Sequence, residues 1–290
     1  MIYPDNFEQK IGFNEIRNML RERCLSTLGK EQVEKMAFSD DAEQVNEWLK
    51  QVREFRRLIL EVEDFPLQNF YDVRESIVRI RIENTHLEEN ELFDLRRSLS
   101  TIDCIVKILN HSDEDESHAE ENDGWRREKK YTYPSLHLLA KDIVTFPQIV
   151  QRIDQILDKF GKIRDNATPE LLQIRRELAK TEGSISRTLY SILRSAQSEG
   201  VVEKDVTPTL RDGRLVIPVI PTLKKKIKGI VHDESATGKT VFIEPTEVVE
   251  ANNRVRELEG EERKEIIRIL TQFTNKLRPY TREIMDSYRC

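Results

Sequence analysis

The sequence predicts a mainly α protein with a small β subdomain: a helical core bundle, a long antiparallel coiled-coil pair, and a β module at its tip. Three observations carry this reading. Apolar residues recur at three-four spacing through most of the chain, the mark of amphipathic helices. Between Val201 and Glu250 that period gives way to strand-like alternation punctuated by Gly and Pro. Charged residues make up 34% of the 290 positions, with only 10 Gly and 10 Pro, which favours solvent-laced helices over a loop-rich enzyme.

In chain order, Phe13, Ile16, Leu20 and Cys24 mark a first helix that Gly29 punctuates. Ser39-Asp40 caps a longer helix carrying Val45, Trp48, Val52, Phe55, Ile59 and Val62, which Pro66 closes off. Asp72 opens a third helix through Ile77 and Ile80. Leu92, Leu95, Leu99, Ile102, Val106 and Leu109 mark a fourth. Together these read as an antiparallel helical bundle. Asp113–Asp123 is almost wholly acidic and is followed by Arg126, Arg127, Lys129 and Lys130, a composition expected of a solvated loop. Leu138–Phe160 is helical again, with Ile149, Ile153 and Ile156.

Thr168-Pro169-Glu170 is a strong start signal: a capping hydroxyl, a proline in the first turn and an acid at the positive dipole end. Leu171, Ile174, Leu178, Ile185, Leu189 and Ile192 follow at heptad spacing. Beyond the β module, Val248, Ala251, Val255, Leu258, Ile269 and Phe273 repeat the pattern until Pro279. Two such helices joined through a β tip should lie antiparallel, about 45 Å long at 1.5 Å per residue. Inside the module, Asp212-Gly213 predicts a tight hairpin turn. Leu215–Ile220 reads as a strand that Pro218 pushes towards a sheet edge, and Gly229–His232 and Lys239–Ile243 read as further strands.

A net charge of −6 argues against a surface basic throughout but allows a local patch. Cys24, Cys104 and Cys290 are scattered, as expected of reduced thiols in a cytoplasmic protein. No signal peptide and no membrane-length apolar run is evident. No nucleophile–base pair emerges. Asp113, Asp115 and Ser117 have calcium-loop spacing, but His118 stands where such a loop needs Gly, so no metal is expected.

Thr237-Gly238-Lys239-Thr240 looks like the end of a phosphate loop, yet Asp233 occupies the place of its first glycine, so a hairpin turn is the better reading. Phe13-Asn14-Glu15 has the spacing of a base-stack wedge, but Phe13 shares a stripe with Ile16 and Leu20 and is assigned to core packing. The basic cluster is more specific. From Val201 to Ile230, Lys204, Arg211, Arg214, Lys224, Lys225, Lys226 and Lys228 face Glu203, Asp205 and Asp212, so seven positive less three negative leaves +4. With Lys239 added, Arg211, Arg214 and the Lys224, Lys225, Lys226, Lys228 run are the candidate nucleic-acid contacts. The competing role for these lysines is protection of a sheet edge.

Thr209–Val219 and, above all, Gly229–Pro245 resemble the clamp of the type-II MutS paralogues, and the likeness continues through Val248-Val249, Asn252-Asn253-Arg254 and Leu258. Ile163–Leu171 is similar to the start of that family's lever, and the N-terminal helices to its core domain. The resemblance implies a helical core over 1–167, an ascending lever helix over 168–200, a β-rich clamp over 201–245 and a descending helix with return over 246–290. It implies a homodimeric ATPase, using ATP and magnesium, that binds branched DNA or stalled ribosomes and usually carries a Smr nuclease domain. No Walker loop, signature motif or nuclease domain appears before Cys290. This chain is therefore expected to hold no cofactor and no catalytic residues of its own. The alternatives are a purely structural dimerisation arm and an NTPase acting through Thr237–Thr240.

Overall fold

The computed structural model describes residues 6–112 and 131–288; the acidic stretch, the cations after it and Cys290 lie outside them. The chain divides into two compact units, Met1–Lys162 with Leu270–Cys290, and Ile163–Ile269.

The first unit is helical: α1 (Phe7–Lys10), α2 (Phe13–Arg23), α3 (Thr27–Glu34), α4 (Ala42–Glu61), α5 (Arg74–Arg79), α6 (Glu89–Leu109), α7 (Pro134–Ala140) and α8 (Pro147–Ile156). Its central helix is α6, whose Leu92 and Leu95 are fully buried and which packs on α8. A capping box of Glu88 and Glu91 starts α6 by satisfying two orphan backbone donors. The last turns of α10 (Val249–Leu277) and α11 (Thr281–Ser287) complete the unit. Buried Thr274 accepts from the Leu87 amide at 3.1 Å, and Arg278 donates to the Ile80 carbonyl at 2.7 Å. Pro279 sits in the 3₁₀ turn Arg278–Tyr280 that follows α10.

Four expectations are corrected here. Gly29 lies inside α3 rather than ending a helix, because Ser26 caps α3 by accepting from the Gly29 amide. The cap of α4 is Asp41, one residue beyond the expected pair. The helix expected over Leu138–Phe160 is two helices, since Pro147 opens a new first turn. Finally, the apolar stripes of α2 and α4 are not core. Ile16, Leu20, Trp48, Val52, Phe55 and Ile59 all stay exposed, and Leu58 is the buried residue of α4. Phe13 is half-buried under the Arg17 guanidinium.

The second unit pairs α9 (Pro169–Ser198) with the first part of α10. Thr168 caps α9, accepting from the Leu171 amide. Hydrogen bonds join Thr168 to Glu265, Arg175 to Glu262 and Glu177 to Arg254, so partner numbers fall as α9 ascends and the helices run antiparallel. Between them lies an antiparallel sheet of order β1-β2-β4-β3: β1 (Thr209–Arg211), β2 (Arg214–Val219), β3 (Gly229–Glu234) and β4 (Val241–Pro245). Ile217, Val219, Val241 and Ile243 of the sheet form one core with Ile185, Leu189 and Leu193 of α9 and Val255 of α10.

The turn of the β1–β2 hairpin is Asp212-Gly213, with φ of 47° and 72°, the double positive-φ conformation whose twist matches a hairpin. Pro218 does not make β2 an edge strand, since β2 lies between β1 and β4. The proline is tolerated because β1 ends opposite Val216, so only β4 flanks the strand where Pro218 stands. Both β2 and β3 are antiparallel to β4 and hence parallel to each other, so the chain between them must cross over β4.

Candidate nucleic-acid interface

That crossover holds most of the lysines. Pro221–Lys226 form a short 3₁₀ helix, with Pro221 in its first turn where no amide is missed. Leu223 and Ile227 pack on the core shared with α9, so the crossover lies on the Ile243 face of the sheet. In a 3₁₀ helix residues three apart eclipse. Lys226 therefore shares the side of Leu223, while Lys224 and Lys225 point elsewhere. Lys224, Lys225, Lys226 and Lys228 are all exposed, and none forms an ion pair among the described residues.

Lys239 belongs to the same region. It stands in the β3–β4 turn, where Gly238 has a φ of 65° and the Gly238 amide donates to the Ser235 carbonyl at 2.7 Å. Thr237–Thr240 thus closes an antiparallel hairpin, not a strand–loop–helix phosphate site. One hollow is lined by Pro221, Thr222, Gly238 and Lys239, and another by Lys226, Lys228, Glu199 and Glu247. The structure therefore gathers Lys239, Lys224, Lys225, Lys226 and Lys228 along one path across the sheet.

Arg211 and Arg214 are not brought there. Side chains alternate along a strand, so Phe242 and Glu244 face away from Val241 and Ile243. Arg211 stacks over the Phe242 ring at 4.2 Å, with its Nε 3.9 Å from Asp233. Arg214 donates to Glu244 at 2.7 Å and to Asn253 at 2.6 Å, leaving its side chain 14% exposed. Both arginines occupy the opposite face of the sheet from the crossover.

Around Glu244 is a feature that sequence patterns did not reveal. Its carboxylate is fully buried and accepts from Arg214, from His232 Nε2 and from Asn252 at 2.8 Å. Burial pushes this carboxyl up, but the bonds from Asn252, His232 and Arg214, with the charge of Arg214, outweigh it and hold it below the ordinary range. His232 reaches Glu244 because it is the extra residue of a bulge between Val231 and Asp233, which re-aims a side chain across the sheet. The available signal was Glu244 itself, an acid inside an apolar strand that must find donors. Gly229 is equally constrained, since a Cβ there would sit 2.1 Å from the Glu244 carbonyl oxygen.

Among the described residues no group of three or more His, Cys, Asp or Glu could hold a metal, and no helix is long and apolar enough to cross a membrane. What the fold and this surface define is a mostly helical protein whose long helix pair carries a small, lysine-bearing antiparallel sheet. No family model matches the chain. It is, however, 32% identical over 275 residues to Endonuclease MutS2 of Geobacillus sp. (strain WCH70), covering 95% of this chain and 33% of that protein. The proteins of the same name from Levilactobacillus brevis and Alkaliphilus oremlandii are 34% and 30% identical, over 94% and 90% of this chain and 32% and 31% of their own. The chain thus spans about a third of the length of the curated relatives it matches. This similarity supports a place for it in a MutS2-like family.

Proposed function

We propose that this chain is the core, lever and clamp portion of a MutS-like homodimeric ATPase, and that its sheet grips the sugar–phosphate backbone of branched DNA or of ribosomal RNA. In this reading the first unit is the core, α9 and α10 form the lever, and the sheet is the clamp. ATP and magnesium chemistry resides in other parts of the protein, and the portion described contributes binding. The observation that carries the reading is the row of four exposed lysines on the crossover with Lys239 in the turn beside it, none engaged by a carboxylate among the described residues. Such contacts act through counterion release and carry affinity with little sequence preference.

The test is a salt titration of binding to duplex DNA, branched DNA and ribosomes by the parent and by the triple variant Lys224→Ala, Lys225→Ala, Lys226→Ala. The variant should weaken duplex and branched binding alike, its salt slope shallower by about 0.9 for each phosphate it no longer neutralises. Equal affinity and an unaltered slope would remove these lysines from the interface. One observation favours a second reading, a structural dimerisation arm: β3 is an open sheet edge whose Ile230 and Val231 are about half exposed, with Lys228 beside it as an edge guard. Dimerisation without salt-sensitive nucleic-acid binding would favour that reading.

A further inference from the structure

We propose that α9 itself carries a second surface for a sugar–phosphate backbone, on the face turned away from its apolar seam. At about 100° per residue, Arg176, Lys180, Arg187 and Arg194 fall within about 40° of one line along the helix, spanning about 27 Å. All four are exposed, as is Tyr190 on the same stripe at 45%. The acidic residues of α9, Glu170, Glu177 and Glu182, all lie more than about 90° from that line.

On α9 these four cations have no acidic partner among the described residues. Several other arginines of this unit are tied down: Arg175 to Asp165 and Glu262, Arg254 to Glu177, Glu257 and Glu261, and Arg268 to Glu265. Arg176, Lys180 and Arg194 form no ion pair among the described residues, and Arg187 only donates back to the Gly183 carbonyl at 3.2 Å. In a chain of net charge −6, an unbalanced row of four cations is a local reversal of sign that attracts a polyanion.

The chemistry of the row selects the polyanion. Three of the four are arginines, whose planar forks match phosphate oxygens two at a time. Ser186, Arg187, Tyr190, Ser191 and Arg194 line one shallow hollow, adding hydroxyl donors of the kind that bond phosphate and sugar. An anionic membrane fits poorly, because this face lacks the apolar side chains that an interfacial helix inserts. An acidic protein fits poorly too, since interface cores need aromatic or aliphatic anchors and only Tyr190 is present. Duplex DNA and structured RNA offer the same backbone, and the two are separated by experiment.

The test uses the 290-residue chain with Arg176→Gln, Lys180→Gln, Arg187→Gln and Arg194→Gln combined, glutamine being a comparable helix former. Its binding to a labelled DNA duplex and to an RNA duplex of equal length is followed from 50 to 200 mM salt, beside the parent and the crossover-lysine triple variant. With the lysines intact, the quadruple variant should lose affinity on at least one duplex. Its DNA salt slope should be shallower by about 0.9 for each residue that contacts phosphate, about 3.6 if all four do. The duplex that responds identifies the source. Unchanged affinity and slope on both duplexes, with circular dichroism showing a folded chain, would overturn the proposal. So would loss confined to phosphatidylserine vesicles or to an acidic polypeptide. If the stripe variant responds and the lysine variant does not, the stripe stands and the clamp assignment falls.

Discussion

Glu244 joins three elements through one carboxylate: Arg214 of β2, His232 of β3 and Asn252 of α10 all donate to it. Removing one partner of a buried charged pair costs far more than the pair contributes, because the remaining charge keeps its desolvation penalty. Glu244→Ala should therefore destabilise the second unit by roughly 3–5 kcal/mol in chemical denaturation, with Glu244→Gln losing less because it still accepts a bond. The sign of the pH effect follows from the lowered carboxyl. The stability that this group contributes is fully present above its unfolded value of about 4.3 and is lost as pH falls through the lower folded one. The difference in stability between parent and Glu244→Gln should thus be constant near neutrality and shrink only below about pH 4.3; a difference that grew on acidification would contradict it. Gly229→Ala tests the close approach. Its Cβ meets backbone rather than a mobile side chain, so β3 must shift, and a loss of about 1–3 kcal/mol is expected.

At the scale of elements, the seam between α9 and the sheet is the part to perturb. Leu189 is fully buried in the core that α9 shares with Ile217, Ile243 and Val255. Leu189→Asp should cost at least about 2–3 kcal/mol, because a carboxylate there has no donor; a melting curve superimposable on the parent's would show that the seam is not closed in solution. Hairpin chemistry predicts a milder outcome at the turn. Gly213→Ala keeps the strands but forces a Cβ into positive φ, so it should cost about 1 kcal/mol in a denaturant melt.

For the whole molecule, each unit holds a core cluster of its own. Leu58, Leu109, Tyr133, Leu136 and Ala140 form one cluster in the first unit, while the cluster around Leu189 and Ile243 lies entirely in the second. Local stability should follow that division. In hydrogen exchange, Glu244→Ala should speed amide exchange across β1–β4 and leave the α6 amides between Leu92 and Val106 unchanged. Equal acceleration in both regions would mean that the units unfold as one. The exposed Ile16, Trp48, Val52 and Phe55 of α2 and α4 belong to this scale as well, since amphipathic stripes at such spacing ordinarily mark a buried face.

Features set by neighbours along the chain were legible in the sequence alone. The cap at Thr168-Pro169, the turn at Asp212-Gly213, the helical character on both sides of a small sheet and the hairpin turn at Thr237–Thr240 all rest on local backbone preference. The fate of each charge was not legible, because it depends on residues far away in the chain. Arg214 and Lys224 look alike in sequence, yet one bonds to Glu244 and Asn253 while the other stands exposed on a crossover. Arg175 and Arg176 are adjacent on α9, and a single 100° step separates a paired cation from one with no ion pair among the described residues. The stripes of α2 and α4 show the converse: periodicity identified an apolar face, but only the packing of the remaining elements decides whether anything covers it. Period and capping are properties of a segment, whereas burial and pairing belong to the assembled chain.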